Sequence, residues 1–88
     1  LRSINHAVSK VLGSGTVTEE VLKELDQECR QYRPDMLDVL DIAAPVYYLD
    51  NQPETHPIGL GCSRIEAHYK LLVGRPSLRH AVTRNRRN

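Results

Sequence analysis

The chain has 88 residues, 40% hydrophobic and 26% charged, a composition that fits one globular domain and argues against wholesale disorder. All four aromatic residues are Tyr, with no Phe and no Trp, so the core is expected to be aliphatic. A domain this small buries only about 60–65% of its unfolded surface, which disfavours a deep, enclosed active site. The longest run free of charged or polar residues, from Ile42 to Leu49, is interrupted by Pro45 and falls far short of the roughly 20 residues of a membrane helix. No basic-then-apolar leader is recognised. The start at Leu1 without Met suggests a piece of a longer protein, and the two cysteines, Cys29 and Cys62, suggest a reducing intracellular setting rather than a disulfide scaffold.

In chain order, Ile4, Ala7, Val8, Val11 and Leu12 stand at helical spacing, and Gly13-Ser14-Gly15 closes that segment. Thr16 with Glu19, or Thr18 directly before Glu19-Glu20, caps the next helix. From Glu19 to Tyr32 the residues Val21, Leu22, Leu25, Cys29 and Tyr32 fall within one arc of about 100°, and the acidic first turn suits the helix dipole. Pro34 ends that run and fits the first turn of another helix, with Met36, Val39, Leu40 and Ala43 apolar, until Pro45 stops it. Val46 to Leu49 reads as a short further turn. Residues 50–57, DNQPETHP, read as a surface loop, and residues 58–62 as an extended, glycine-hinged approach. Ser63 with Glu66 forms a second capping box for a helix with Ile65, Tyr69, Leu72 and Val73 inward, ending at Gly74. Pro76 and Ser77 open a last helix carrying Leu78, Ala81 and Val82. No segment is read as alternating with period two. The expectation is therefore all-α: a compact orthogonal bundle of four to five short helices over residues 1–83, followed by a basic flexible tail at 84–88.

Charge is unevenly spread. Residues 1–60 hold ten acidic and five basic side chains, a net of −5; residues 61–88 hold one acidic and seven basic, a net of +6. Six of those seven cations are Arg: Arg64, Arg75, Arg79, Arg84, Arg86 and Arg87. Arginine forks suit carboxylates and phosphates, so these residues are candidates for contact with an acidic partner or with nucleic acid. Charge runs are more often solvated faces. A helix-turn-helix outline can be drawn from Ile65 through Gly74-Arg75-Pro76 into the last helix, but His80 and Thr83 occupy positions where apolar packing is needed.

Among possible reactive groups, Cys62 in GLGCSR stands before the expected cap, where N–H groups and Arg64 favour a thiolate. The plainer reading is a small apolar side chain packed at a helix start. Cys29 is read as a core thiol. His56, Cys62 and His68, with five residues between neighbours, match no compact zinc module, so no metal or cofactor is expected. No nucleophile–base pair can be nominated, and an enzyme is not expected.

Tyr47 and Tyr48 carry the remaining interest. With Val46, Leu49, Ile58 and Leu60 they are expected to line an apolar groove that accepts a partner helix or linear peptide. The same groove would serve a second copy. The resulting expectation is an interaction domain of a nuclear or cytoplasmic protein with no membrane contact. A small nucleic-acid-binding domain using the arginine-rich end is the alternative.

Overall fold

A computed structural model describes residues 1–34 and 36–75. The chain builds an antiparallel sheet with one helix on one face, in the order β1 (Arg2–Val11), α1 (Glu19–Gln31), β2 (Asp38–Ile42), β3 (Val46–Leu49), β4 (Gln52–Glu54) and β5 (Arg64–Gly74). The expected all-α bundle is overturned: among the described residues only the Glu19 segment is an α-helix. The Arg2, Pro34 and Ser63 segments expected to be helical form β1, β2 and β5 instead. The expected Pro76 helix and the boundary at 83/84 lie outside the described residues.

The central strand is β5. Ile65, Ala67, Tyr69, Leu71 and Val73 alternate with Arg64, Glu66, His68, Lys70 and Leu72, and each member of the first set is at most 2% exposed. A period of two sends these five to one side of a pleated strand. An eleven-residue strand buries all five at once, whereas a helix would scatter them around its circumference. The tertiary gain decides against local helix propensity.

β1 lies along one side of β5 in an unbroken register from Arg2↔Val73 to Val11↔Arg64. The other side of β5 is shared. β3 pairs with its first half, from Leu49↔Ile65 to Val46↔His68, and β2 with its second half, through a register shift between Val39 and Asp41. Pro45 falls at the changeover, where it costs no ladder bond, and Ala43 N donates to Lys70 O at 2.9 Å. β4 returns on β3 through a two-residue turn at Asp50-Asn51, both with positive φ (47° and 71°). That is the geometry of a tight hairpin turn, tolerated best by Gly, Asn and Asp. The loop expected at 50–57 is thus in part a hairpin.

The helix matches its expectation. Thr18, not Thr16, is the cap: its Oγ1 accepts from Val21 N at 3.3 Å, while Thr16 forms an isolated bridge with Gly61. Val21, Leu25 and Cys29 are buried against the sheet residues Val8, Ile65, Tyr69 and Leu71 of the same core. Two further contacts tie α1 to β1. His6 stacks on Tyr32 with ring centroids 3.9 Å apart, and Lys10 pairs with Glu24. These explain why β1 hides its own alternation: two of its inward positions are polar residues that find partners on the helix.

A candidate docking face on the open side of the sheet

The even-numbered side chains of β5 face away from α1, as do the odd-numbered ones of β1. Cross-strand pairs on this face include Ala7↔His68, Asn5↔Lys70, Val46↔His68 and Tyr48↔Glu66. The Tyr48 and His68 rings meet at 4.5 Å between centroids, tilted by 49°. Glu66 organises its neighbours: Oε1 lies 2.9 Å from His68 Nε2, and Oε2 lies 3.6 Å from Arg64 Nε. Arg64 in turn donates from Nη2 to Ser9 Oγ at 3.2 Å. Next to this polar row is a shallow depression of about 590 Å³ lined by Ala7, Ala43, Ala44, Val46 and Tyr48, with Asn5, His68 and Lys70 at its polar side. Three alanines give it small apolar surface, His6 and Tyr69 also border it, and the cation of its lining is Lys70.

The groove expected from sequence is divided by this arrangement. Val46 and Tyr48 reach the open face. Tyr47 and Leu49, on the alternate positions, face the helix side; Leu49 is in the core and Tyr47 packs against it. Ile58 and Leu60 are exposed in the loop before β5, which is tied to the segment ahead of α1 by Val17 N to Leu60 O (2.8 Å) and Gly59 N to Val17 O (2.9 Å). Six residues drawn as one groove thus lie in three places. A helical reading joins 46 to 49; a strand separates neighbours onto opposite faces. His68, Ala7, Asn5 and Lys70 were missed as companions of Tyr48 because strand pairing, not sequence spacing, brings them there.

Of the candidate cations, Arg64 is on the open face and Arg75 is exposed just beyond β5. Arg79, Arg84, Arg86 and Arg87 lie outside the described residues. The helix-turn-helix outline is removed, because its first helix is β5.

Cys62 does not stand at a helix start. It is 8% exposed, held between the Thr16↔Gly61 bridge and β5, with its N–H donating to Gly15 O at 3.2 Å. Burial, and the nearby Asp50 carboxylate, push its thiol up despite the Arg64 backbone N–H. Cys29 is likewise pushed up, by burial first and Asp26 second. Both favour the protonated, less nucleophilic thiol, and both cysteines are free. Among the described residues no group of three or more His, Cys, Asp or Glu converges on a point that could hold a metal, and no helix is long and apolar enough to cross a membrane.

Asp50 is a residue whose role sequence reasoning missed. Its carboxylate accepts from Ser63 N (3.0 and 3.1 Å) and Arg64 N (2.9 Å), and its own N–H donates to Arg64 O at 3.0 Å. It therefore fixes the start of β5 against the β3–β4 turn, and with it the position of Arg64 and Glu66 on the open face. No protein-family model matches the chain, and a search of characterised proteins finds no match.

Proposed function

We propose that the chain is a protein-docking module whose open sheet face seats an amphipathic, acidic-flanked helix of another protein. The observation that carries this reading is the unequal cover of the sheet. α1 closes one face, while the other presents Ala7, Ala43, Ala44, Val46 and Tyr48 around a depression edged by Lys70 and His68. Small apolar residues let a helix approach closely, Tyr48 supplies an amphipathic anchor of the kind enriched at binding hot spots, and the rim cation Lys70 selects acidic flanks. Titrating the ¹⁵N-labelled chain with a synthetic helical peptide bearing a Leu stripe flanked by Glu tests this. Shifts confined to Ala7, Val46, Tyr48, His68 and Lys70, and lost in Tyr48→Asp, are expected. Shifts elsewhere, or none, refute it.

A second reading is supported by one observation. The Tyr48–His68 ring pair, flanked by Arg64 and Lys70 on an open antiparallel sheet, resembles in outline the stacking platforms that take single-stranded nucleic acid. Glu66 in the centre of that row weighs against it. Shifts at these residues with an oligonucleotide instead of the peptide, weakening steeply with salt, favour this alternative.

A further inference from the structure

β1 is paired on one side only. Leu12 N donates to Ser63 O, and the antiparallel alternation running back from that bond commits the backbone of Lys10, Val8, His6, Ile4 and Arg2 to β5. The N–H and C=O groups of Ser3, Asn5, Ala7, Ser9 and Val11 therefore point away from the sheet. Among the described residues no backbone bond reaches them. Protein edges are normally blunted by proline, a bulge, or charges in mid-strand. From Ser3 to Ser9 this edge has none of these. Its cations, Arg2 and Lys10, stand near its two ends, and Lys10 is already paired with Glu24 on α1. A groove runs beside the strand, between residues 6–9 and Glu28 and Gln31 of α1 with its C-cap Tyr32.

We infer that β1 pairs with β1 of a second copy, antiparallel about a two-fold axis at Ala7, so that two sheets join into one. The sequence of the edge is self-complementary in this register. Ala7 faces Ala7, Asn5 faces Ser9 and Ser3 faces Val11 on the open side. On the helix side His6 faces Val8, Ile4 faces Lys10 and Arg2 faces Leu12. Each cation meets an aliphatic side chain and none meets another cation. The five outward residues of each copy then exchange about ten backbone bonds. An axis at His6 would set Arg2 against Lys10, and one at Asn5, Val8 or Ser9 would leave part of the strand unpaired. The cost of the Ala7 register is that Glu28, which lines the groove, approaches its own symmetry mate. Two exposed carboxylates in water repel weakly and are screened by salt. The isologous contact is the commonest form of homo-oligomer, and it is separate from the docking reading: a Tyr48→Asp chain keeps the dimer.

Sedimentation velocity on the 88-residue chain across micromolar to millimolar concentration tests the pairing. A dimer is expected. Ala7→Pro removes an outward N–H that β5 does not use, and Ala7→Lys puts two cations at the axis; each is expected to weaken association by about tenfold or more, with circular dichroism showing the fold retained. Ala7→Cys gives a disulfide-linked dimer under mild oxidation, since facing Cα atoms in such a pair stand about 5.5 Å apart, whereas the two native thiols are buried. A chain monomeric throughout the range, or a dimer unaffected by both Ala7→Pro and Ala7→Lys, overturns the inference.

Discussion

The two faces of β5 divide one eleven-residue strand between opposite purposes. Toward α1 the strand presents Ile65, Ala67, Leu71 and Val73, each at 0% exposure. Toward the open side it presents Arg64, Glu66, His68, Lys70 and Leu72. Adjacent residues can thus differ completely in what they contribute: Leu71 is fully buried, and Leu72, one bond away, is 36% exposed. In a sheet with one covered face, stability is concentrated on one parity of the sequence, and the other parity is free to be shaped for contact. The largest test of that division is a pair of substitutions. Leu71→Ala opens a cavity in the core and is expected to cost about 2–5 kcal/mol. Leu72→Ala trims a partly covered open-face side chain and is expected to cost about 1 kcal/mol. Urea unfolding of the two variants measures both, and equal losses would show that the open face is structural too.

A smaller effect is expected where the two faces are held in register. Asp50→Ala removes a carboxylate that accepts two backbone N–H groups at the start of β5. Bonds to a charged acceptor contribute about 1.5–3 kcal/mol when buried. Asp50 is exposed, so a loss of about 1–2 kcal/mol is expected after solvent screening, together with NMR shift changes at Arg64 and Glu66 on the open face. Asp50→Asn, which keeps an acceptor and tolerates positive φ, should recover most of it. Thr18→Ala acts on the covered face alone, through the α1 cap, and should cost about 1 kcal/mol while leaving the open-face resonances in place.

How far these features could be read beforehand depended on whether local signals agreed. In α1 they did: a capping residue, an acidic first turn and a 3.6-residue apolar arc all pointed to one helix. In β5 they conflicted. The alternation Ile65, Ala67, Tyr69, Leu71, Val73 was present, but Ile65, Tyr69, Leu72 and Val73 also fit a helical stripe, and Ser63 with Glu66 imitates a capping box. The decision came from β1, β2 and β3 flanking the strand, which spacing within the segment cannot show. In β1 the period of two was masked outright, because His6 and Lys10 hold inward positions through Tyr32 and Glu24 on the helix. The candidate site followed the same pattern. Val46 and Tyr48 were legible as interaction residues, but their association with His68, Ala7 and Lys70 depends on pairing registers. The helical reading grouped them with Tyr47 and Leu49, which belong to the opposite face.

The smallest expected effect concerns a buried, unpaired hydroxyl on the covered face. Tyr69 is 2% exposed, and its hydroxyl has no hydrogen-bond partner among the described residues. Holding such a group without a bond costs free energy that a phenyl ring does not incur, so Tyr69→Phe is expected to be neutral or to stabilise by up to about 1 kcal/mol at neutral pH. The pH dependence sharpens the test. Burial first, then the neighbouring Tyr47 and the Asp26 charge, raise the Tyr69 phenol well above its ordinary value of 10.0. The unfolded chain therefore ionises before the folded one. The contribution of this neutral phenol is fully present below about pH 10 and is lost as pH rises above it. Comparing urea midpoints at about pH 8 and about pH 11, the wild-type chain should lose more stability than Tyr69→Phe. The remaining loss comes from Cys29, Cys62 and Tyr47, whose values are also raised by burial. A Tyr69→Phe chain less stable than wild type at about pH 8 would mean that the hydroxyl is bonded in solution, and an unchanged alkaline slope would mean that the folded phenol ionises as readily as the unfolded one.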